Sequence, residues 1–159
     1  MTFIIRQFAL CLLVVSSLSA HAYKSGDMVA PEIAEELSLS KRVTIVDFFA
    51  AWCVSCRIEI PVLSKAYESM DQSLIEVVGV DVDDTLEKAQ KFQKEMREKG
   101  MTFRVVNDID QSIIQAFGPK GMPALYYIID GKVVGARLGA IPHIDKQVMA
   151  DLKSLGVLK

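Results

Sequence analysis

Apolar positions along the chain switch between two rhythms. Val43 to Phe49 (Val, Thr, Ile, Val, Asp, Phe, Phe) is β-branched, aromatic and nearly continuous in hydrophobicity, the pattern of a central strand covered on both faces. From Val54 the period becomes helical, with Ile58, Val62, Ala66 and Met70 at intervals of four and Leu63 and Tyr67 beside them. Pro61 falls inside that helix, cannot bond back to the carbonyl of Arg57, and predicts a kink one turn after Cys56. Leu74 to Val82 returns to strand character and ends among Asp81, Asp83 and Asp84.

Asp84 with Glu87 three residues on has the form of an N-cap pair. Leu86, Ala89, Phe92 and Met96 then give the buried stripe of a helix that stops at Gly100. Its other face carries Glu87 with Lys91 and Glu95 with Lys99, spaced as i,i+4 pairs on a solvated surface. Phe103 to Val106 predicts a short strand, and Asp110 to Phe117 a short helix ended by Gly118. Leu125 to Ile129 and Lys132 to Leu138 are strands joined by Asp130 and Gly131, a strong hairpin signal. A last helix from about Pro142 has the stripe Ile144, Val148, Leu152 and Leu155. From Val43 the order is strand, helix, strand, helix, strand, helix, strand, strand, helix. This predicts an α/β fold: a mixed central sheet with helices on both faces and a C-terminal β-hairpin plus helix.

The start of the chain obeys neither rhythm. Arg6 closes a short basic stretch, Phe8 to Leu18 is apolar apart from two serines, and Ala20, His21, Ala22 form an A-x-A ending. Residues 1–22 therefore predict a cleaved secretory signal, and Cys11 reads as one of its hydrophobes. The alternative is an uncleaved membrane anchor, although the run is shorter than the roughly 18 apolar residues of a spanning helix. Residues 23–42 read as a leader packed on the domain, with one short helix from Glu32 to Leu37, and residues 43–159 as the domain itself.

Composition adds mainly exclusions. At 51% hydrophobic and 24% charged residues over 159 positions the chain is globular and suits one domain. The net charge is −2, with Lys and Arg scattered among Asp and Glu, so no nucleic-acid footprint and no polybasic membrane surface is expected.

Two of the three cysteines survive removal of residues 1–22, and they form the motif Trp52, Cys53, Val54, Ser55, Cys56. A pair so close in sequence contributes little loop-closure stability, which favours redox chemistry over a structural staple. At the first turn of a helix the unpaired backbone N–H groups point outward and stabilise a thiolate at Cys53, the species that attacks disulfides. Cys53 is thus the expected nucleophile and Cys56, one turn inside, the resolving thiol, with no cofactor beyond the Cys53/Cys56 disulfide. The competing reading is half a zinc site, which needs two further ligands when His143 is the one good candidate left. Asp47 is an acid in an otherwise apolar strand. Burial would raise its pKa and let it exchange a proton with Cys56, unless it lies at a wet strand end. Trp52, the lone tryptophan, either covers the disulfide and contacts substrate or is a half-exposed core aromatic.

These residues resemble the thioredoxin superfamily. Asp47 lies six residues before Cys53 in VDFFAAWC, Pro61 five after Cys56, and Pro123 at the start of the penultimate strand. GVDVDD before an inserted charged helix, then GPKGMPALYYIIDGKVVGARLGA, is similar to the exported TlpA-like branch that includes the cytochrome c maturation thioredoxins. Two features depart from that branch: no N-terminal β-hairpin is legible in Tyr23 to Arg42, and Ala124 follows the proline where Thr is common.

The resemblance implies a cis bond between Met122 and Pro123, although X–Pro bonds in general are cis only about 5% of the time. It also implies that Met122 main-chain groups near the CxxC pair with a substrate strand. Glu59, three residues after Cys56, matches an acid near the thiols in that branch, against the plain reading of a helix-surface Glu.

Val54 and Ser55 supply no charge, and Asp47 and Glu59 would oppose a thiolate, so the balance favours a reductant of specific protein disulfides. Its expected partners are proteins bearing disulfides or thiols and a membrane thiol-disulfide electron donor. The expected state is a monomer, periplasmic or otherwise exported. A disulfide-forming oxidase or isomerase, or a redox-inert binding or metal-chaperone module on the same fold, are the alternatives.

Overall fold

The computed structural model describes residues 22–159. The expected signal segment apart from Ala22, and Cys11 within it, lie outside the described residues. Five strands and five helices follow the expected order, with boundaries within two residues of the sequence reading. They are α1 (Pro31–Glu36), β1 (Val43–Phe49), α2 (Val54–Glu68), β2 (Ile75–Asp81), α3 (Leu86–Glu98), β3 (Arg104–Asn107), α4 (Ser112–Phe117), β4 (Ala124–Ile129), β5 (Lys132–Leu138) and α5 (Ile144–Ser154).

The sheet order is β3-β2-β1-β4-β5, with β1, β2 and β3 parallel and β4 and β5 antiparallel to their neighbours. β1 is the middle strand and all seven of its residues are buried, Thr44 and Asp47 among them, in keeping with its nearly continuous apolar run. Because side chains alternate along a strand, Val43, Ile45 and Phe49 join α2, α3 and α5 in one core. Val46 and Phe48 join α1 and α4 in the core on the opposite face. Asp47 belongs by this alternation to the α2 side. Gly79 lies beside it in β2, and a Cβ there would stand 2.5 Å from the Phe49 ring. The close approach of ring to backbone explains the glycine.

The hairpin between β4 and β5 turns through Asp130 and Gly131, both at positive φ (50° and 76°), which the Asp-Gly pair tolerates. The leader does not form a hairpin of its own. It runs beside β5, with Gly26 and Val29 N–H donating to the carbonyls of Val133 and Gly131, and Tyr23 packs edge-on against Phe117. That segment covers an edge that would otherwise present unpaired backbone.

Two helix faces differ from expectation. On α2 the buried residues are Cys56, Glu59, Ile60, Leu63, Ser64 and Ala66, whereas Ile58 and Val62 are exposed. The true stripe contains an acid and a serine, so the apolar residues beside it mimicked a buried face. On α3 the cap is Thr85, whose hydroxyl accepts from the Lys88 N–H. Asp84 pairs instead with the Lys88 ammonium, and Leu86 is half exposed.

Candidate active site

Strand β1 delivers the chain through Ala50 and Ala51 to the start of α2, where Cys53 is the N-cap. Its Sγ accepts from the Cys56 N–H at 3.3 Å, satisfying one of the donors left unpaired at a helix start. Cys53 and Cys56 are joined by a disulfide with Cα atoms 5.3 Å apart. The two half-cystines are not equivalent: Cys53 is 5% exposed and Cys56 only 1%. Around them the surface is apolar, with Trp52 66%, Val54 73% and Ile58 70% exposed.

Two buried carboxyls are carried by the elements that frame the pair, Asp47 on the α2 side of β1 and Glu59 one turn past Cys56 on the buried face of α2. Asp47 is fully buried, and among the described residues its Oδ1 has no hydrogen-bond partner. Desolvation, reinforced by the charge of Glu59, holds its pKa well above the ordinary carboxylate value. Glu59 is also buried, and desolvation pushes it up to about 7, partly offset by the Ile141 N–H donating to its Oε2 at 3.4 Å. Neither acid is the wet strand end or the surface glutamate of the plainer readings.

The peptide between Met122 and Pro123 is cis. The antiparallel register pairs Ala124 with Phe48, which brings Met122 and Pro123 to the end of β1 from which the CxxC departs. The Pro123 carbonyl accepts from the Gly139 N–H at 2.8 Å. Among the described residues the Met122 N–H and carbonyl have no hydrogen-bond partner, so that peptide edge is open. Trp52 is exposed rather than a core aromatic. His143 lines a small apolar groove with Ser55, Ile58, Glu59, Val62 and Ile141. Among the described residues no cluster of three or more metal-ligating side chains occurs.

Sequence reasoning missed a second layer. The Ala51 N–H donates to Asp83 at 2.8 Å, and the Ala51 carbonyl accepts from Arg57 at 2.8 Å. Asp81, fully buried beside Asp83, is raised to about 6 by desolvation, against hydrogen bonds from Gln93 and the Asp83 N–H. The one signal for this layer was the acidic ending of the second strand, which spacing alone could not aim at the CxxC loop.

A β1-centred mixed sheet, a helix capped by the first cysteine of a CxxC and a cis proline at the facing strand start define a thioredoxin-like protein with a disulfide site. The profile of the AhpC/TSA family matches residues 31–136, and the chain belongs to that family. It is 27% identical over 122 residues to the thiol-disulfide oxidoreductase ResA of Bacillus subtilis (strain 168), covering 70% of this chain and 66% of the relative. To the ResA of Bacillus thuringiensis (strain Al Hakam) it is 28% identical over 102 residues, covering 64% and 57%. The chain thus spans less than two thirds of the length of these relatives. Among solved structures, a Chlorobium tepidum protein assigned as the thiol:disulfide interchange protein DsbE superposes with a TM-score of 0.70. That match has 22% identity over 84% of this chain and 98% of the other, and speaks for the fold.

Proposed function

We propose that the protein is an exported thiol-disulfide oxidoreductase that reduces specific protein disulfides. The observation that carries the direction is the pair of buried acids, Asp47 and Glu59, on the elements that frame the disulfide. When ionised they disfavour thiolates, and a dithiol with weakly stabilised thiolates returns readily to the disulfide, giving its electrons away.

The step begins with the Cys53 thiolate, which attacks one sulfur of the partner disulfide and expels the other as a thiolate. Cys56 then loses its proton to the neighbouring carboxylate, Asp47 or Glu59, and attacks Cys53 Sγ. The mixed disulfide breaks, the partner leaves with two thiols, and the enzyme is left oxidised. Two electrons pass from enzyme to partner, so a second thiol donor must restore the dithiol. A membrane thiol-disulfide protein fits that need in an oxidising compartment. The open Met122 peptide edge supports strand-like docking of the partner, and exposed Trp52 and Ile58 supply apolar contacts.

Export rests on the pattern of residues 1–22; among the described residues no helix is long and apolar enough to cross a membrane. Trapping tests the reading. Cys56→Ala protein should accumulate mixed disulfides through Cys53 with exported proteins, and a variant that accumulates none would remove it.

A further inference from the structure

Spacing along α3 puts Glu95 on a solvated face, and Arg57 carries no role in the sequence pattern, yet the fold brings them together beside the CxxC. Arg57 is the residue after Cys56, in the first turns of α2. Its side chain reaches back past the helix start. One guanidinium nitrogen donates to the Ala51 carbonyl at 2.8 Å, the other is paired with Glu95 of α3, 38 positions away, and the group lies over the Phe92 ring at 4.8 Å. With Asp83 holding the Ala51 N–H, the peptides on both sides of Ala51 are fixed two residues before Cys53.

A cation therefore sits at the N-terminal end of α2, the same end whose unpaired N–H groups favour a thiolate at Cys53. Its charge is met by one carboxylate, which Lys99 shares at 2.8 Å. The Arg57 and Lys99 hydrogen bonds hold Glu95 down to about 2, so it is ionised at any pH where the thiols react. The other charged or titratable groups around the CxxC loop are Asp47 and Glu59 from β1 and α2, Asp83 under the loop, the Asp84–Lys88 ion pair that lines a cleft with Ala51 and Trp52, and His143 in the groove beside Ser55.

We propose that Arg57 and Glu95 are positioning residues that tune the redox pair. Arg57 holds the Ala51 peptide and a positive charge beside the Cys53 thiolate, and Glu95 sets how much of that charge the thiolate feels. This rests on the redox reading above. With Glu95 in place the cation is largely spent on its partner, and the buried acids dominate; without Glu95 it is released toward Cys53.

The two partners must then act with opposite signs. The reaction is enzyme disulfide plus two glutathione thiols giving enzyme dithiol plus glutathione disulfide, and its equilibrium constant is read by alkylating free thiols after equilibration. Glu95→Gln should raise that constant 3- to 10-fold and move the pH midpoint of Cys53 alkylation down. A tenfold change is about 30 mV for this two-electron couple. Arg57→Met should lower the constant by a similar factor and move the midpoint up. Arg57→Lys, which keeps the charge but loses the fork that also reaches the Ala51 carbonyl, should fall between wild type and Arg57→Met.

A merely structural ion pair predicts shifts of the same sign for both partners. Shifts of the same sign, or less than twofold for either, overturn the proposal. If Arg57→Met does not fold, Glu95→Gln decides: an unmoved constant overturns it. Failure of the wild type to exchange with glutathione would remove the redox reading and this inference together, whereas normal exchange with same-sign shifts removes the inference alone.

Discussion

Asp47 in β1 and Glu59 on α2 are both buried, and after burial itself the charge of the glutamate is the second cause of the raised aspartate pKa. Two carboxyls thus stand on the elements that frame one disulfide, and each is pushed toward its neutral form. Glu59, pushed up to about 7, is matched to take up a proton near neutral pH, where an exposed acid with an ordinary pKa is a far weaker base.

This pair makes stability depend on pH with a definite sign. Glu59 binds a proton more tightly folded than unfolded, so its contribution is fully present below about 4.5 and is lost as pH rises toward about 7. Glu59→Gln, which keeps an acceptor for the Ile141 N–H, should match wild type at pH 4 and be more stable at pH 8 by about 2 kcal/mol. Denaturant unfolding at the two pH values checks it, and an equal or lower stability at pH 8 would contradict the burial argument.

Asp47→Asn should behave in the same direction for stability and in the opposite one for chemistry. Asparagine carries no ionisation cost at the buried site, so the fold is more stable near neutral pH, while removing a proton acceptor slows resolution of the mixed disulfide by about 10- to 100-fold. Unfolding free energy at pH 7 and release of a trapped partner are the two readings. A variant that is less stable and releases at the wild-type rate would remove Asp47 from the proton path.

Gly79→Ala tests the packing that sets the Asp47 strand. A methyl group 2.5 Å from the Phe49 ring forces β1 or the ring to move, at a cost of about 1–3 kcal/mol. Thermal unfolding should show a clear fall in midpoint, and an unchanged midpoint would mean that the Phe49 ring yields freely.

Much of this molecule was legible in its sequence because local patterns carried it. The nearly continuous apolar run Val43 to Phe49 has the pattern of a strand covered on both faces, and Asp130-Gly131 between apolar runs is a strong hairpin signal. Asp47 was legible for a related reason, as an acid inside that run. What escaped were features decided between elements. Ile58 and Val62 have the spacing of a buried stripe, but the sheet selects the neighbouring stripe with Glu59 and Ser64 in it. Glu95 has the spacing of a surface pair with Lys99, and it makes that pair, yet the reach of Arg57 from α2 gives it a second partner. Asp84 competes with Thr85 for the cap and takes the Lys88 ammonium instead. The Met122–Pro123 isomer has no local signal beyond the proline, and the expectation of cis came from resemblance alone.

Removing the nucleophile should abolish activity where removing its partner should not abolish attack. Cys53→Ala is expected to reduce a small-molecule disulfide at less than a few per cent of the wild-type rate, while Cys56→Ala still forms the mixed disulfide and stalls there. Stopped-flow thiol release separates the two, and a Cys53→Ala variant with substantial activity would reverse the assignment that N-cap geometry supports.

The most direct measurement is the equilibrium of the wild-type Cys53/Cys56 pair with glutathione at pH 7. Two buried acids and an arginine already met by Glu95 leave the Cys53 thiolate weakly stabilised, so the couple should lie below about −200 mV, on the thioredoxin side of the scale. A value near −120 mV, that of a strong oxidant, would contradict the account and make the protein a donor of disulfides.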